Sequence, residues 1–306
     1  MTRVPADEPP IADDPRVLEV WTSRDTVVGD TRVRRALPQR SRRTVGAWCF
    51  ADHLGPLPSD ATPTGIGPHP HSGLHTVTWL VEGEMLHRDS LGSEQIIRPG
   101  QLNLMTAGQG VSHAEEPTGR TGGGLHGIQL WVAQPEATRH GPPAFEHHPS
   151  LPEVEFGSAV ATVLVGTLDG TESPARRDTD LVGFEIRLHR GEAVLPVEPS
   201  FEHALVVLEG AVRVDGRILV PGEGAYAGPG RHQLDLVPAE DARLLVLGGT
   251  PFESAVVMWW NFVGRTRHEV AEAGREWNAG AERFGDTGSS MARIPAPRPP
   301  WAVGRG

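Results

Sequence analysis

Twice along its 306 residues the chain spells out the same three glycine-marked corners in the same order. "VEG" (Val81 to Gly83), "RPG" (Arg98 to Gly100) and "AGQGVSH" (Ala107 to His113) come first. "LEG" (Leu208 to Gly210), "VPG" (Val220 to Gly222) and "AGPGRH" (Ala227 to His232) follow at slightly shorter spacings. A duplicated order of this kind predicts two copies of one supersecondary plan. The text between the corners is strand-like. "HTVTWLVEGEM" puts Val77 and Trp79 on one face and Thr76 and Thr78 on the other, as a period of two requires. "RPGQLNLMTAG" and "LHGIQLWVAQP" behave alike. With 37 glycines and 28 prolines a helical bundle is excluded, and many short strands separated by turns are favoured. The expected fold is all-β, two tandem jelly-roll β-barrels.

The expected organisation is a flexible polar leader over 1–16, a first barrel over 17–133 and a Pro-rich, His-containing linker over 134–153. A second barrel over 154–264 and a C-terminal helix and tail over 265–306 complete it. "RTRHEVAEAGREWNAG" (Arg265 to Gly280) has helical spacing at Val270, Ala273 and Trp277, with Gly280 placed to stop the helix. From Asp286 onward the Gly/Pro-rich text reads as an extended arm. A chain of this length buries a core without disulfides or structural metal.

The net charge of −11 argues against a general polyanion binder, so no direct nucleic-acid contact is expected. "RVRRALPQRSRR" (Arg32 to Arg43) holds six arginines in twelve residues and reads as a solvated edge strand and turn broken by Pro38. The single cysteine, Cys49, forbids an intrachain disulfide and suits a reducing cytosol. No run approaches the ~18 apolar residues of a membrane span, and the first residues lack the apolar centre of a signal peptide. A soluble, cytoplasmic protein is expected.

Chemistry concentrates in "GPHPHSGLHTVTWL" (Gly67 to Leu80). On a strand His69 and His71 point to one face and Pro70 to the other. "GVSHAEEP" supplies a second dyad, His113 and Glu115, also two apart. Two such dyads meeting inside a barrel give three imidazoles and one carboxylate, a donor set for Fe(II), Mn, Ni, Cu or Zn. On an octahedral ion this set leaves two positions open. The repeat places Pro196, Glu198, Glu202, His232 and Leu234 at the positions of His69, His71, His75, His113 and Glu115. Proline and leucine side chains cannot ligate, so the second barrel is expected to lack a site, with His203 and His232 as ordinary polar residues.

The stretch "HPHSGLHTVTWLVEGEMLHRDSLG…RPGQLNLMTAGQGVSHAEEP", with "VRRALPQRSRRTVGAWCFADHLGP" before it, resembles the cupin core of the pirin family. "LHGIQLWVAQP", "GGTPFES" and "NFVGRTRHEVAEAGREWNAGAERFG" resemble later blocks of bacterial pirin-like proteins, so the likeness runs from about Val17 to Pro297. The resemblance implies a bicupin with one metal, usually iron, in the N-terminal barrel. Its three-His, one-Glu ligand set falls on His69, His71, His113 and Glu115. One departure stands out: pirins commonly read HPHxGFET where this chain reads "HPHSGLHT", so His75 replaces a glutamate. His75 is read either as an exchanged supporting polar group or as a fifth ligand or proton acceptor in the pocket.

The resemblance implies two functions of different class. The first is a quercetin 2,3-dioxygenase-like oxidoreductase that opens a flavonol ring with O₂ and releases carbon monoxide. In it one divalent ion, Fe(II) before Mn, Ni, Cu or Zn, is held by His69, His71, His113 and Glu115, and Glu115 or His75 takes the substrate proton. The second is a non-catalytic, redox-responsive iron protein that binds a protein partner, with Arg32 to Arg43 on the binding surface. A metal enzyme acting on another enolisable small molecule is a third fit. Trp79, Trp131, Trp259 and Trp260 are candidates for an aromatic pocket wall.

Overall fold

The computed structural model describes residues 17–28, 31–58, 64–119 and 124–302; the leader expected over 1–16 lies outside the described residues. The first strands are β1 (Glu19–Thr22), β2 (Arg24–Val28), β3 (Thr31–Leu37), β4 (Trp48–Leu54), β5 (Ile66–His71) and β6 (Leu74–Glu82). After them come β7 (Met85–Asp89), β8 (Glu94–Ile97), β9 (Leu102–Thr106), β10 (Val111–Glu116), β11 (His126–Ala133) and β12 (Ala144–His148). One sheet runs β12-β9-β6-β11-β4-β3-β2 and a second runs β5-β10-β7-β8; the two enclose the first barrel.

The second half repeats the plan. Its strands are β13 (Glu153–Phe156), β14 (Ala159–Leu168), β15 (Thr171–Glu172), β16 (Leu181–Leu188), β17 (Ala193–Pro196) and β18 (Glu202–Glu209). Then come β19 (Val212–Val214), β20 (Arg217–Leu219), β21 (Glu223–Ala227), β22 (Gln233–Pro238) and β23 (Ala242–Gly249). The large sheet runs β1-β21-β18-β23-β16-β14-β13, with β15 on β14, and the small one β17-β22-β19-β20. The pair β17–β22 thus occupies the place that β5–β10 holds in the first barrel, as the repeat requires. The interior of the second barrel is filled by apolar side chains, among them Phe184, Leu195, Leu205, Leu234 and Leu236.

The two large sheets pack face to face. Trp48, Val77, Ile128 and Leu130 from one side meet Val165, Leu181, Leu245 and Leu247 from the other in a single apolar cluster. Trp48 is fully buried there, and its indole Nε1 donates to the carbonyls of Val182 and Gly248 at 3.1 Å each.

Three segments cross the boundaries expected from sequence. Strand β1 leaves the first half and pairs with β21 of the second barrel, Glu19 opposite Tyr226. Arg42 holds it there, donating to Glu19 at 2.7 Å and lying 3.6 Å over the Tyr226 ring. Much of the stretch read as a linker is ordered: β12 pairs with β9 along its whole length. Pro142 and Pro143 before the strand and Pro149 after it leave its N–H groups free for the ladder. The chain after β23 returns to the first barrel as a hairpin, β24 (Val257–Trp259) and β25 (Phe262–Gly264), where Val263 N–H donates to Ser72 O at 3.1 Å. The basic stretch is no edge either, since β3 lies between β2 and β4 and Arg35 is tied to Asp52.

The one α-helix among the described residues, α1 (Arg267–Asn278), is capped by Thr266, whose hydroxyl accepts from Glu269 N–H at 3.1 Å. Val270, Ala273 and Trp277 are buried against Phe262 and Phe284, and Gly280 at φ +76° ends it, as its spacing predicts. The tail is extended but firmly docked. Ile294 N–H donates to Pro68 O at 2.9 Å, and Ile294 O accepts from the Trp277 indole at 2.8 Å. Among the described residues no helix is long and apolar enough to cross a membrane.

Candidate metal centre

Strands β5 and β10 run antiparallel with His113 opposite His69 and Val111 opposite His71. Period-two alternation turns His69, His71 and His113 to the same interior face, while Pro70 and Ser112 face away. One nitrogen from each of the three rings lies within 4.8 Å of the others, and all three side chains are buried. Among the described residues no other three donors converge in this way.

The ring nitrogens are oriented by the main chain. His69 Nδ1 donates to Gly67 O at 2.9 Å and His71 Nδ1 to Asn261 O at 3.0 Å. Each Nε2 is thereby left as a lone pair, and His71 Nε2 sits 3.1 Å from His113 Nε2. A carbonyl behind each ligating imidazole is the usual way a protein fixes tautomer and aim at a metal. Burial adds to this. It pushes the His69 imidazole down to about 4 and drives His71 and His113 well below the ordinary histidine range. Neutral rings are the ligating form, so the donor set fits a divalent metal.

Glu115 lies outside that tight cluster. The register shifts between His113 and Glu115, which pairs with Ile66, so Glu115 does not join the three rings within 4.8 Å. It still lines the same cavity, and burial pushes its carboxyl up to about 7. This cavity, about 390 Å³, is walled by Phe50, Trp131, Trp260 and Ile294. Phe50 and Trp131 stack at 4.0 Å, and the bidentate Arg35–Asp52 pair lies beside them at 2.7–2.8 Å. Of the four tryptophans singled out from sequence, Trp131 and Trp260 line the cavity. Trp79 donates instead to Glu185 of the second barrel, and Trp259 packs on Trp301.

His75 stands apart from the three rings. Its Nδ1 pairs with Thr106 Oγ1 at 2.9 Å and its Nε2 with Asp178 Oδ2 at 3.1 Å, so both nitrogens are engaged at the barrel–barrel contact. His71 and His75, four residues apart, do not share a face because they lie on different strands. Between them Gly73, at φ +73°, turns the chain from one sheet into the other. Any side chain at Gly73 would place its Cβ 2.1 Å from Val263 O. Spacing also gave no hint of His87. It lies on β7, where β10 brings Glu115 opposite it and Asp89 opposite His113. His87 Nδ1 is 3.4 Å from His113 Nδ1, and its ring stacks on Phe145 at 4.4 Å.

Comparison with known proteins agrees with this architecture. The Pirin family model matches residues 30–132, and the model of the Pirin C-terminal cupin domain matches 183–285. A Pseudomonas aeruginosa protein named "Putative quercetin 2,3-dioxygenase PA1205" is 45% identical, covering 94% of this chain and 92% of its own. A "Pirin-like protein" of Caulobacter vibrioides is 36% identical, over 87% of this chain and 95% of its own. Among solved structures, a quercetin 2,3-dioxygenase from Acinetobacter baumannii superposes with TM-score 0.88 at 40% identity, covering 92% of this chain and 96% of the other.

Proposed function

The chain belongs to the pirin family, and on that premise we propose that it is a metal-dependent dioxygenase acting on a flavonol-like small molecule. One observation carries the reading. Three neutral, buried imidazoles converge in an aromatic-walled cavity that also holds a carboxyl able to exchange a proton near neutrality. The volume, about 390 Å³, falls within the span of small-molecule sites, roughly 300–1,000 Å³.

His69, His71 and His113 would hold the ion, with Glu115 the carboxylate at hand as a fourth donor. Fe(II) is the ion proposed, and when bound it supplies Lewis acidity and one-electron chemistry toward O₂. The protein's own groups do the rest. Gly67 O and Asn261 O keep the lone pairs of His69 and His71 aimed inward. Phe50 and Trp131 offer a stacked wall against which a flat aromatic ring lies. Glu115, which lines the cavity with the three rings, would take the proton of the substrate's acidic hydroxyl.

The test is Fe(II)-loaded protein with quercetin in air. Oxygen uptake, loss of flavonol absorbance and carbon monoxide release are expected. His71→Ala should abolish all three together with metal retention. Full metal occupancy with no oxygen uptake would reject the flavonol substrate, and full metal retention by His71→Ala would reject the site.

A further inference from the structure

We infer that Asp89 and His87 form a positioning relay that sets which nitrogen of His113 carries the proton, and so keeps its Nε2 free for a metal. The chain of contacts is short and directional. Asp89 Oδ1 accepts the backbone N–H groups of Leu91 at 2.9 Å and Ser93 at 3.0 Å. Its other oxygen, Oδ2, meets His87 Nε2 at 3.1 Å. A carboxylate only accepts, so a neutral His87 ring carries its proton on Nε2 and presents a lone pair at Nδ1. That lone pair faces His113 Nδ1 at 3.4 Å, so His113 must carry its proton there and present a lone pair at Nε2. Nε2 is the atom 3.1 Å from His71 Nε2, itself a lone pair because His71 Nδ1 donates to Asn261 O.

The alternative arrangement shows what the relay prevents. If His113 carried its proton on Nε2, it would donate to His71 Nε2 and the two rings would satisfy each other without a metal. His113 Nδ1 would then be an acceptor, and His87 would have to donate through Nδ1 and accept through Nε2. The Asp89 carboxylate has no proton to give, so that arrangement is closed to a neutral His87 ring. Two lone pairs held 3.1 Å apart are poorly placed on their own and well placed around a shared cation. The relay is thus the third of three orienting devices, joining the carbonyls behind His69 and His71. His87 and Asp89 both lie on the inward face of β7, and Asp89 is almost fully buried.

The inference rests on the triad being a metal site and is independent of which substrate is turned over. Asp89→Asn tests it because the geometry dictates how the amide must sit. Its single oxygen stays with the Leu91 and Ser93 N–H groups, which puts the NH₂ against His87 Nε2. Every proton in the relay is then reversed, and His113 Nε2 is blocked. In ¹⁵N spectra of the metal-free protein, His113 should be protonated on Nδ1 in the parent and on Nε2 in Asp89→Asn. Affinity for Zn(II), measured by chelator competition, should fall about 10- to 100-fold, the usual loss when a group orienting a ligand is removed. Should that variant not fold, His87→Phe keeps the ring stacked on Phe145 and removes the acceptor for His113 Nδ1; a loss of about tenfold or more is expected there too. Unchanged tautomers in Asp89→Asn, or Zn(II) affinity unchanged in either folded variant, would overturn the relay. A parent protein that binds no Zn(II) would instead refute the metal site, and the tautomer measurement would still decide the relay.

Discussion

Replacing Gly183 by alanine adds one carbon at the centre of the contact between the two barrels. The new Cβ would lie 2.6 Å from Trp48 Cζ2 and 2.9 Å from Cη2, with the next neighbour, Leu247 Cδ2, at a comfortable 3.6 Å. Trp48 cannot retreat cheaply, because its indole donates to Val182 O and Gly248 O and the ring is fully enclosed. Overpacking of this kind costs about 1–3 kcal/mol, and loosening the indole hydrogen bonds adds about 1 kcal/mol, so roughly 2–4 kcal/mol is expected. Trp48→Phe removes the donor and the ring carbons at issue, for about 2–4 kcal/mol from unsatisfied carbonyls and the space left behind. If the two changes were independent, the double variant would lose about 4–8 kcal/mol. The geometry predicts otherwise: the methyl group added at position 183 enters the space vacated by Cζ2 and Cη2, and the double variant is no less stable than Trp48→Phe alone. The coupling should therefore be about 2–4 kcal/mol in the favourable direction. Thermal or urea unfolding of the four proteins measures it, at about 2 °C per kcal/mol for a chain of this size. Additive losses, or a double variant less stable than Trp48→Phe, would refute this account of the interface.

Other consequences follow from buried histidines and from the corner at Gly73. His53 and His203 are buried outside the triad, and desolvation pushes them down to about 3 and about 4. In the unfolded chain they titrate near about 6.5. Below that pH the unfolded state takes up protons that the folded state does not, so stability falls as pH drops. The loss should reach about 1.4 kcal/mol per histidine at about pH 5.5 relative to about pH 7.5. Urea unfolding of the metal-free protein across this range should show it, and a flat profile would contradict it. Gly73→Ala combines an unfavourable φ of +73° with a Cβ placed 2.1 Å from Val263 O, so it should cost more than about 3 kcal/mol. Because His71 is two residues away, metal retention should fall with stability. Wild-type melting and metal content in this variant would show that the corner tolerates a side chain.

Much of this was legible in the sequence because strands have a short, strict period. The dyad His69/His71 shares a face at any register, and the repeated corners fix how many barrels there are, whereas the irregularity between His113 and Glu115 left no mark in the spacing. What depends on pairing between strands was not legible. His87 reaches His113 only because β7 and β10 lie side by side, with Asp89 opposite His113. The choice between the two readings of His75 was illegible for the same reason: i and i+4 share a face only along one strand, and the chain turns at Gly73 between β5 and β6. Strand β12, "AFEHH", carries no alternation and is made by an available edge on β9. The docking of the tail is held by single contacts, Ile294 to Pro68 and to Trp277, that leave no periodic trace.

The two barrels put the same strand pair to opposite uses. In the second, β17 and β22 turn Leu195, Leu234 and Leu236 into the interior, each fully buried and each stabilising by about 1.5–3 kcal/mol. In the first, β5 and β10 turn three imidazoles and a carboxyl inward. Desolvation there drives every one of them toward its neutral form, which opposes folding rather than favouring it. A barrel with such an interior needs closure from outside itself. The hairpin after β23 supplies Asn261 O behind His71, and the tail supplies Ile294 at the cavity wall. The same hairpin and tail anchor α1 through Phe262, Trp277 and Ala296. Chain from beyond the second barrel thus completes the first: the filled barrel buries the large sheet, and the segment that follows it finishes the site.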